Sequence, residues 1–294
     1  MLILTGAMAC RLLAVEPALD ELKAKAQAGD AASQFSVGNR YDFGNGVRRN
    51  PKEAATWYEL AAKSEHALAQ NNLGSLYLRG EGVKQDYAKA LVLFQKSAAQ
   101  GNSYALCSIG WIYDNGFGVP KDPREANAWY EKAAEKGSAE AMHNLGLSYA
   151  SGSGVEKDDG VAFSWFEKAA SLGFDKAQLK AGFALYHGIG ATKDAEKALV
   201  WYHKAVERGN TEAIANIGIA YRDGTGVNVD LIESFAWLDL ARFLTQNTDN
   251  MRTKWGIRAE LDETKKRMST PQIKAGESRT KKLYEELKVR QPKS

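Results

Sequence analysis

The residues with most scope for chemistry in this 294-residue chain are four histidines, two cysteines, one Ser-x-x-Lys match and a recurrent acid. His66, His143, His187 and His203 are scattered. No two have the HExxH spacing and no Cys/His cluster exists, so no metal site is expected. Cys10 and Cys107 are too few and too far apart for a disulfide framework. Cys107 sits in a helical pattern and reads as a small buried hydrophobe. Ser278-Arg279-Thr280-Lys281 fits SxxK, the spacing of a serine nucleophile, but the SDN and KTG partners of that chemistry are missing. Asn50, Asp86, Asp122, Asp158, Asp194 and Asp230 recur at one spacing, and no second ligand type travels with them. They read as helix N-caps rather than catalytic acids. Gly-x-Gly loops recur as well, yet no strand precedes them and no Lys-Ser/Thr follows where a phosphate cradle needs it. The expectation is no catalytic residue, no metal and no cofactor.

The elements that carry these residues repeat. Gly38, Gly74, Gly110, Gly146, Gly182 and Gly218 stand 36 residues apart, a period that means stacked supersecondary units. Residues 71–102 show the whole unit. In each first helix a small residue lies five before the glycine (Ser33, Ala69, Ala105, Ala141, Ala177, Ala213). An aliphatic residue or alanine stands just before it, and Tyr41, Tyr77, Tyr113, Tyr149, Leu185 or Tyr221 three after it. These make one buried stripe. A glycine inside a helix costs about 1 kcal/mol relative to alanine, so its recurrence implies close approach by another helix backbone. The Gly-x-Gly loop reverses the chain, and the recurrent acid caps a second helix, with Pro51 and Pro123 at its first position. Glu53, Glu125 and Glu233 lie three after their caps, where a capping box is expected. Trp57, Leu93, Trp129, Trp165, Trp201 and Trp237, each followed by a second large residue such as Tyr58 or Phe94, read as an aromatic core.

Charged residues make up 26% and hydrophobic ones 44% of the chain, a globular composition. Fourteen Lys/Arg against seven Asp/Glu fall in residues 242–294, so the tail is basic while the rest is mildly acidic. Its cations are interleaved with acids at helical spacing, which argues against nucleic acid as a partner. Residues 1–16 form an apolar leader, readable as a secretory signal or as a capping helix. No apolar run reaches the length of a transmembrane helix. The repeat array is placed at 17–242, beginning with a half-unit, and a C-terminal helical cap at 243–294. Met251, Trp255, Ala259 and Leu261 propose one cap helix, and Thr270-Pro271 starts another with Ile273, Leu283, Tyr284 and Leu287 on its apolar face. Roughly fourteen to sixteen helices are expected.

The stretch 141–173, AMHNLGLSYASGSGVEKDDGVAFSWFEKAASLG, closely resembles the Sel1-like repeat, a relative of the tetratricopeptide repeat. The resemblance extends over about residues 30–242. It implies an all-α, right-handed α-solenoid of about six helix-pair repeats, and a non-catalytic scaffold or adaptor whose partner is a protein or peptide. It favours a periplasmic or secreted location over a cytoplasmic one; a monomer is expected. Some cysteine-rich members of this family are linked with penicillin-binding or β-lactamase activity. An envelope-associated hydrolase or lactam-binding protein is therefore the alternative, although the cysteine pairs of that subgroup are absent.

The partner is expected on a second stripe of the first helices, at two before, one after and five after the glycine. Asn72, Arg79, Trp111, Asn115, Asn144, Phe183, His187 and Asn216 belong to it. An amide can clasp a peptide backbone whatever its sequence. Trp111 and Phe183 are anchors of the type that dominates binding energy.

Overall fold

The computed structural model describes residues 19–246 and 251–290. The leader 1–16 lies outside the described residues. Fifteen helices, and no strand, occur among the described residues. A single helix α1 (Leu19–Gln27) comes first. Six pairs follow: α2 (Ala31–Phe43) with α3 (Pro51–Lys63), α4 (Ala67–Arg79) with α5 (Tyr87–Ala99), and α6 (Ser103–Asn115) with α7 (Pro123–Glu135). The next are α8 (Ala139–Ser151) with α9 (Asp159–Ser171), α10 (Asp175–His187) with α11 (Ala195–Glu207), and α12 (Thr211–Asp223) with α13 (Leu231–Leu244). Two cap helices, α14 (Met251–Lys266) and α15 (Thr270–Arg290), end the array. The architecture is all-α, of the α-solenoid class.

Local chemistry fixes each boundary. The carbonyl-rich end of α8 is closed by Gly152 at φ 74°, whose N–H donates to the Ser148 carbonyl. Asp158 then caps α9, accepting from the N–H groups of Gly160 and Val161. The same acid acts as cap in the other second helices, from Asn50 to Asp230. Glu65, which replaces the glycine found at the equivalent position of the next four repeats, is the single non-glycine with positive φ among the described residues, at 57°.

The helix glycine faces a side chain of the second helix, a ring in five repeats, and in three repeats that helix's backbone is close as well: a Cβ at Gly110, Gly182 or Gly218 would lie 3.1 Å from Ala126 O, Ala198 O or Leu238 N. A Cβ at Gly146 would lie 2.5 Å from the Phe166 ring. Gly38, Gly74, Gly110 and Gly182 meet Tyr58, Phe94, Tyr130 and Tyr202 in the same way, and Gly218 meets Leu238. The residue after the tryptophan position is therefore the deepest part of each repeat: Tyr58, Phe94, Tyr130, Tyr202 and Leu238 are all 2% exposed or less. Burial of each such side chain contributes about 1.5–3 kcal/mol. The tryptophans themselves are shallower. Trp57 and Trp237 are buried, but Trp129, Trp165 and Trp201 are half-buried, each under a lysine ammonium 4.1–4.3 Å from its ring.

The expected capping boxes close only by half: the cap side chains accept from the backbone N–H groups of Glu53, Glu125 and Glu233, but the glutamate side chains bond elsewhere. Glu53 and Glu125 instead accept the indole N–H of Trp57 and Trp129, four residues on, at 3.1 and 2.9 Å. Glu233 pairs with Arg279 at 2.6 Å. The cap backbone N–H is already bonded to the preceding first helix, as in Asp122 N–H to Tyr113 carbonyl, which leaves the glutamate free for the indole.

The described residues fall into two compact segments, one ending at Ala105 and the other beginning at Leu106. In the first, Ala54, Tyr58, Ala61, Leu73 and Leu76 form the main cluster, and Leu22, Ala26, Val37 and Trp57 a second beside α1. In the second, Tyr202, Ile214, Ile217, Leu238 and Leu240 join Ile257, Leu261 and Leu283 of the cap. The buried face of α14 is thus Ile257–Leu261–Thr264; Trp255 is 63% exposed and Ala259 is exposed, contrary to the face read from sequence. On α15, Leu283 is buried while Ile273, Tyr284 and Leu287 are half-buried, as that helix's apolar spacing implies.

Candidate protein-binding surface

The first helices turn their small-residue stripe inward, which leaves the neighbouring stripe at the surface. In the C-terminal segment that stripe is apolar. Trp111 on α6, Leu147 on α8 and Phe183 on α10 hold the same position of successive repeats and are 41%, 40% and 44% exposed. Ile219 on α12 follows, half-buried. The Trp111 ring packs 4.8 Å from Phe117, and Asn115 donates to the Trp111 carbonyl at 2.9 Å. The Phe183 ring packs 4.3 Å from His187. Beside Phe183 a cavity of about 360 Å³ opens, walled by Leu179, Ala215, Ile219 and Ile257, with Lys180, Glu212, Asn216 and Glu260 as its polar groups. An apolar concavity with a few fixed polar groups suits a side chain presented by a peptide or helix.

In the N-terminal segment the position just after the glycine is polar, Asn39 and Ser75, and Asn39 is internally satisfied, while Phe43, five after Gly38, is 65% exposed. The Tyr58 hydroxyl donates to Asn39 Oδ1 at 2.6 Å, and Asn72 Nδ2 donates to Asn39 Oδ1 at 3.1 Å and to the Tyr58 oxygen at 3.2 Å. Asp42 lies 3.3 Å from that hydroxyl, and burial raises its pKa above the usual carboxylate range despite the hydrogen bond and nearby Arg79 and Arg49. Arg79 is engaged with Glu81 at 3.1 Å, and Glu81 with Arg49.

The asparagines thus have an internal reason to recur. Asn72 follows Tyr58 by fourteen residues; Asn144 and Asn216 follow Tyr130 and Tyr202 by the same interval. Where the buried ring is Phe94 or Phe166, with no hydroxyl, Ser108 and Lys180 stand instead. Asn144 lies near the Tyr130 hydroxyl, and its amide reaches Cys107 Sγ at 3.9 Å. Of the eight residues read from sequence, Asn72 supports a buried tyrosine, Asn144 lies beside one and Arg79 is in an ion pair. Trp111, Asn115, Phe183, His187 and Asn216 border the exposed stripe. Leu179, Glu212, Ile257 and Glu260 were missed. The last two come from α14, beyond the repeat, where only the Ile257–Leu261–Thr264 spacing marks a face.

The Sel1 repeat profile matches residues 31–66, 67–102, 103–138, 139–174, 175–210 and 211–242. The chain belongs to the Sel1 repeat family. It is similar to a Sel1 repeat protein from Oxalobacter formigenes, with 36% identity and a TM-score of 0.69, over 77% of this chain and 99% of that one. It is also similar to c5321, a protective antigen of uropathogenic Escherichia coli strains with an SLR fold. There the identity is 30% and the TM-score 0.54, over 94% of this chain and 67% of that one. No curated protein matches the chain. Sel1 repeat proteins are generally protein–protein interaction scaffolds and typically non-catalytic.

The other singled-out residues take structural places in these Sel1 repeats. His66 caps α4 through Nδ1, accepting from Ala69 N–H, and stacks on Phe35. His143 is buried between Phe166 and Phe174, and burial drives its pKa down to about 4, helped by Lys180 and Lys176. Cys107 is buried as expected, its thiol pushed up to about 12 by desolvation. Ser278 and Lys281 are both exposed on α15. Among the described residues no group of three or more His, Cys, Asp or Glu is placed to hold a metal, and no helix is long and apolar enough to cross a membrane.

Proposed function

We propose that the chain is a non-catalytic adaptor that binds a protein segment along the exposed stripe of α6, α8, α10 and α12. One observation carries this reading: Trp111, Leu147 and Phe183 repeat a large exposed apolar side chain at a position that the fold does not need filled. Rows of exposed apolar side chains at one position of successive repeats mark interaction sites. The spacing supports an amphipathic helix or extended peptide whose apolar side chains meet successive repeats, one of them entering the cavity at Phe183. His187, Asn115 and Asn216 form its polar border, and aromatic anchors supply most of the affinity. Asn72 and Arg79, committed to Tyr58, Asn39 and Glu81, are left out of the proposed surface. Such a surface would serve a regulator as readily as a passive scaffold.

The test is a photo-crosslinking residue placed at Leu147, with a second placed at exposed Lys132 as control. A partner captured from the native organism through Leu147 alone is then purified, and its affinity measured for the wild type and for Trp111→Ala/Phe183→Ala. Loss of at least about tenfold in affinity is expected for the double variant. Equal capture at both positions, or unchanged affinity, places the partner elsewhere.

A further inference from the structure

The second repeat lacks one ring of the aromatic ladder. Five repeats carry tryptophan at this position, and the second carries Leu93. In the first repeat Trp57 packs on Val37 and Tyr41. The equivalents of those two residues in the second repeat are Leu73 and Tyr77, and they wall an open cavity of about 400 Å³ together with Val92 and Leu93. The cavity therefore stands where the indole stands in the first repeat. Val92 at its mouth is 51% exposed.

The rim keeps groups that an indole uses elsewhere in the chain. In the third, fourth and fifth repeats a lysine three residues after the tryptophan lies over its ring. Lys96 holds that place in sequence after Leu93 but does not line the cavity, where the lysine is Lys89. Lys89 Nζ lies 5.2 Å from the centre of the Tyr77 ring, and Glu59 accepts the Tyr77 hydroxyl at 3.2 Å. In the first and third repeats the indole N–H needs a carboxylate acceptor, supplied by Glu53 and Glu125. The second repeat has Lys89 at that position, and the carboxylate on the rim is Glu59. The rim thus carries one ammonium group, Lys89, which also pairs with Asp86 at 3.7 Å, and one carboxylate, Glu59, whose second oxygen remains for an indole N–H: a cation for the electron-rich face and an acceptor for the N–H edge.

We infer that this cavity is a docking site for a tryptophan side chain presented by a protein partner, which completes the ladder in trans. The site is separate from the Trp111–Phe183 stripe, and its test uses no partner of that surface. Hot-spot residues of interfaces are most often large aromatic side chains seated in such pockets.

The experiment titrates the full chain with N-acetyltryptophanamide and, separately, N-acetylleucinamide, following the methyl resonances of Leu73, Val92 and Leu93 by NMR. The tryptophan probe is expected to shift these methyls saturably and to bind at least about fivefold more tightly than the leucine probe. Leu93→Trp fills the cavity from within and should abolish the shifts at Leu73 and Val92. Val92→Asp, an exposed change at the mouth that spares the core, should weaken binding at least about tenfold and serves if Leu93→Trp fails to fold. The inference is overturned by equal affinity for the two probes, which makes the cavity a general apolar patch. It is equally overturned by no saturable shift in the wild type, or by shifts that persist in the folded variants.

Discussion

One position of the repeat is read in two different ways along the chain. The residue just after the helix glycine is Asn39 and Ser75 in the N-terminal segment, and Trp111, Leu147 and Phe183 in the C-terminal one. Asn39 is spent internally, accepting from the Tyr58 hydroxyl and the Asn72 amide. Its C-terminal counterparts are 40–44% exposed. The scaffold beneath is the same, a glycine against a ring with an alanine or serine stripe beside it. The difference teaches that the repeat constrains its inward positions and leaves this one free, so its side chains record use rather than folding.

The comparison requires equivalent scaffolds, and the largest expected effect tests that. Phe94→Ala in one segment and Phe166→Ala in the other should each cost about 3–5 kcal/mol by chemical denaturation, since both rings fill the space over a helix glycine. Costs that differ by more than about 2 kcal/mol would mean the two segments are not built alike. Trp165→Ala should cost less, about 1–3 kcal/mol, because its ring is half-buried and shared with Lys168.

Acid should act on the C-terminal segment in particular. His143 titrates near 6.5 when unfolded but at about 4 in the folded chain. The unfolded state therefore binds more protons between those values. Stability is complete above about pH 6.5 and falls as the pH drops toward 4. From pH 7 to 4.5 the loss assigned to this ring is about 2 kcal/mol. Cys107 and Leu179, both uncharged, fill the equivalent place in neighbouring repeats, so His143→Leu keeps an apolar side chain there and should remove that increment. In the N-terminal segment Asp42 works in the opposite sense: its raised pKa makes the ionised form costly, and protonation relieves that cost. An acid-induced loss equal in His143→Leu and wild type would assign it to other groups.

The period, the caps and the identity of each helix were legible in the sequence because they depend on spacing and on backbone chemistry within a few residues. What the helix glycine faces was not. Gly146 and Phe166 are twenty residues apart, and only the folded pair shows that a ring fills the gap. The role of Asn72 was hidden for the same reason, although its pairing with tyrosine and not with phenylalanine was already written in the chain. Glu53 and Glu125 had two partners at nearly the same distance along the helix, a cap N–H and an indole N–H, and local spacing does not choose between them. Exposure of Trp111 and Phe183 followed from periodicity. The cavity beside Phe183 did not, since Ile257 and Glu260 reach it from outside the repeat.

A smaller effect sharpens the polar side of the comparison. Tyr58→Phe keeps the ring over Gly38 but removes the hydroxyl that joins Asn39, Asp42 and Asn72. The expected cost is about 1–2 kcal/mol, because half-buried partners lose a bond without gaining water fully. Combined with Asn72→Ala in a double-mutant cycle, the coupling should be about 1 kcal/mol. Additive losses would show that Asn72 does not support the tyrosine and would return it to the binding surface.

The smallest effect on stability is expected where the effect on binding is greatest. Trp111 and Phe183 touch one ring each, Phe117 and His187, within their own helix or the loop after it. Over half of each ring is covered, but none of it fills the space over a helix glycine, so each alanine variant should cost only about 1 kcal/mol in chemical denaturation. The same two changes remove aromatic anchors from the exposed apolar row, and the free energy missing from folding should appear as lost affinity for the partner. Asn39→Ala should behave in the opposite way, lowering stability while leaving partner affinity unchanged, since its carbonyl is committed to Tyr58 and Asn72. A stability loss above about 2 kcal/mol for Phe183→Ala would show that the stripe is structural in both segments. The distinction between spent and free positions would then collapse, and with it the reason for placing a partner there.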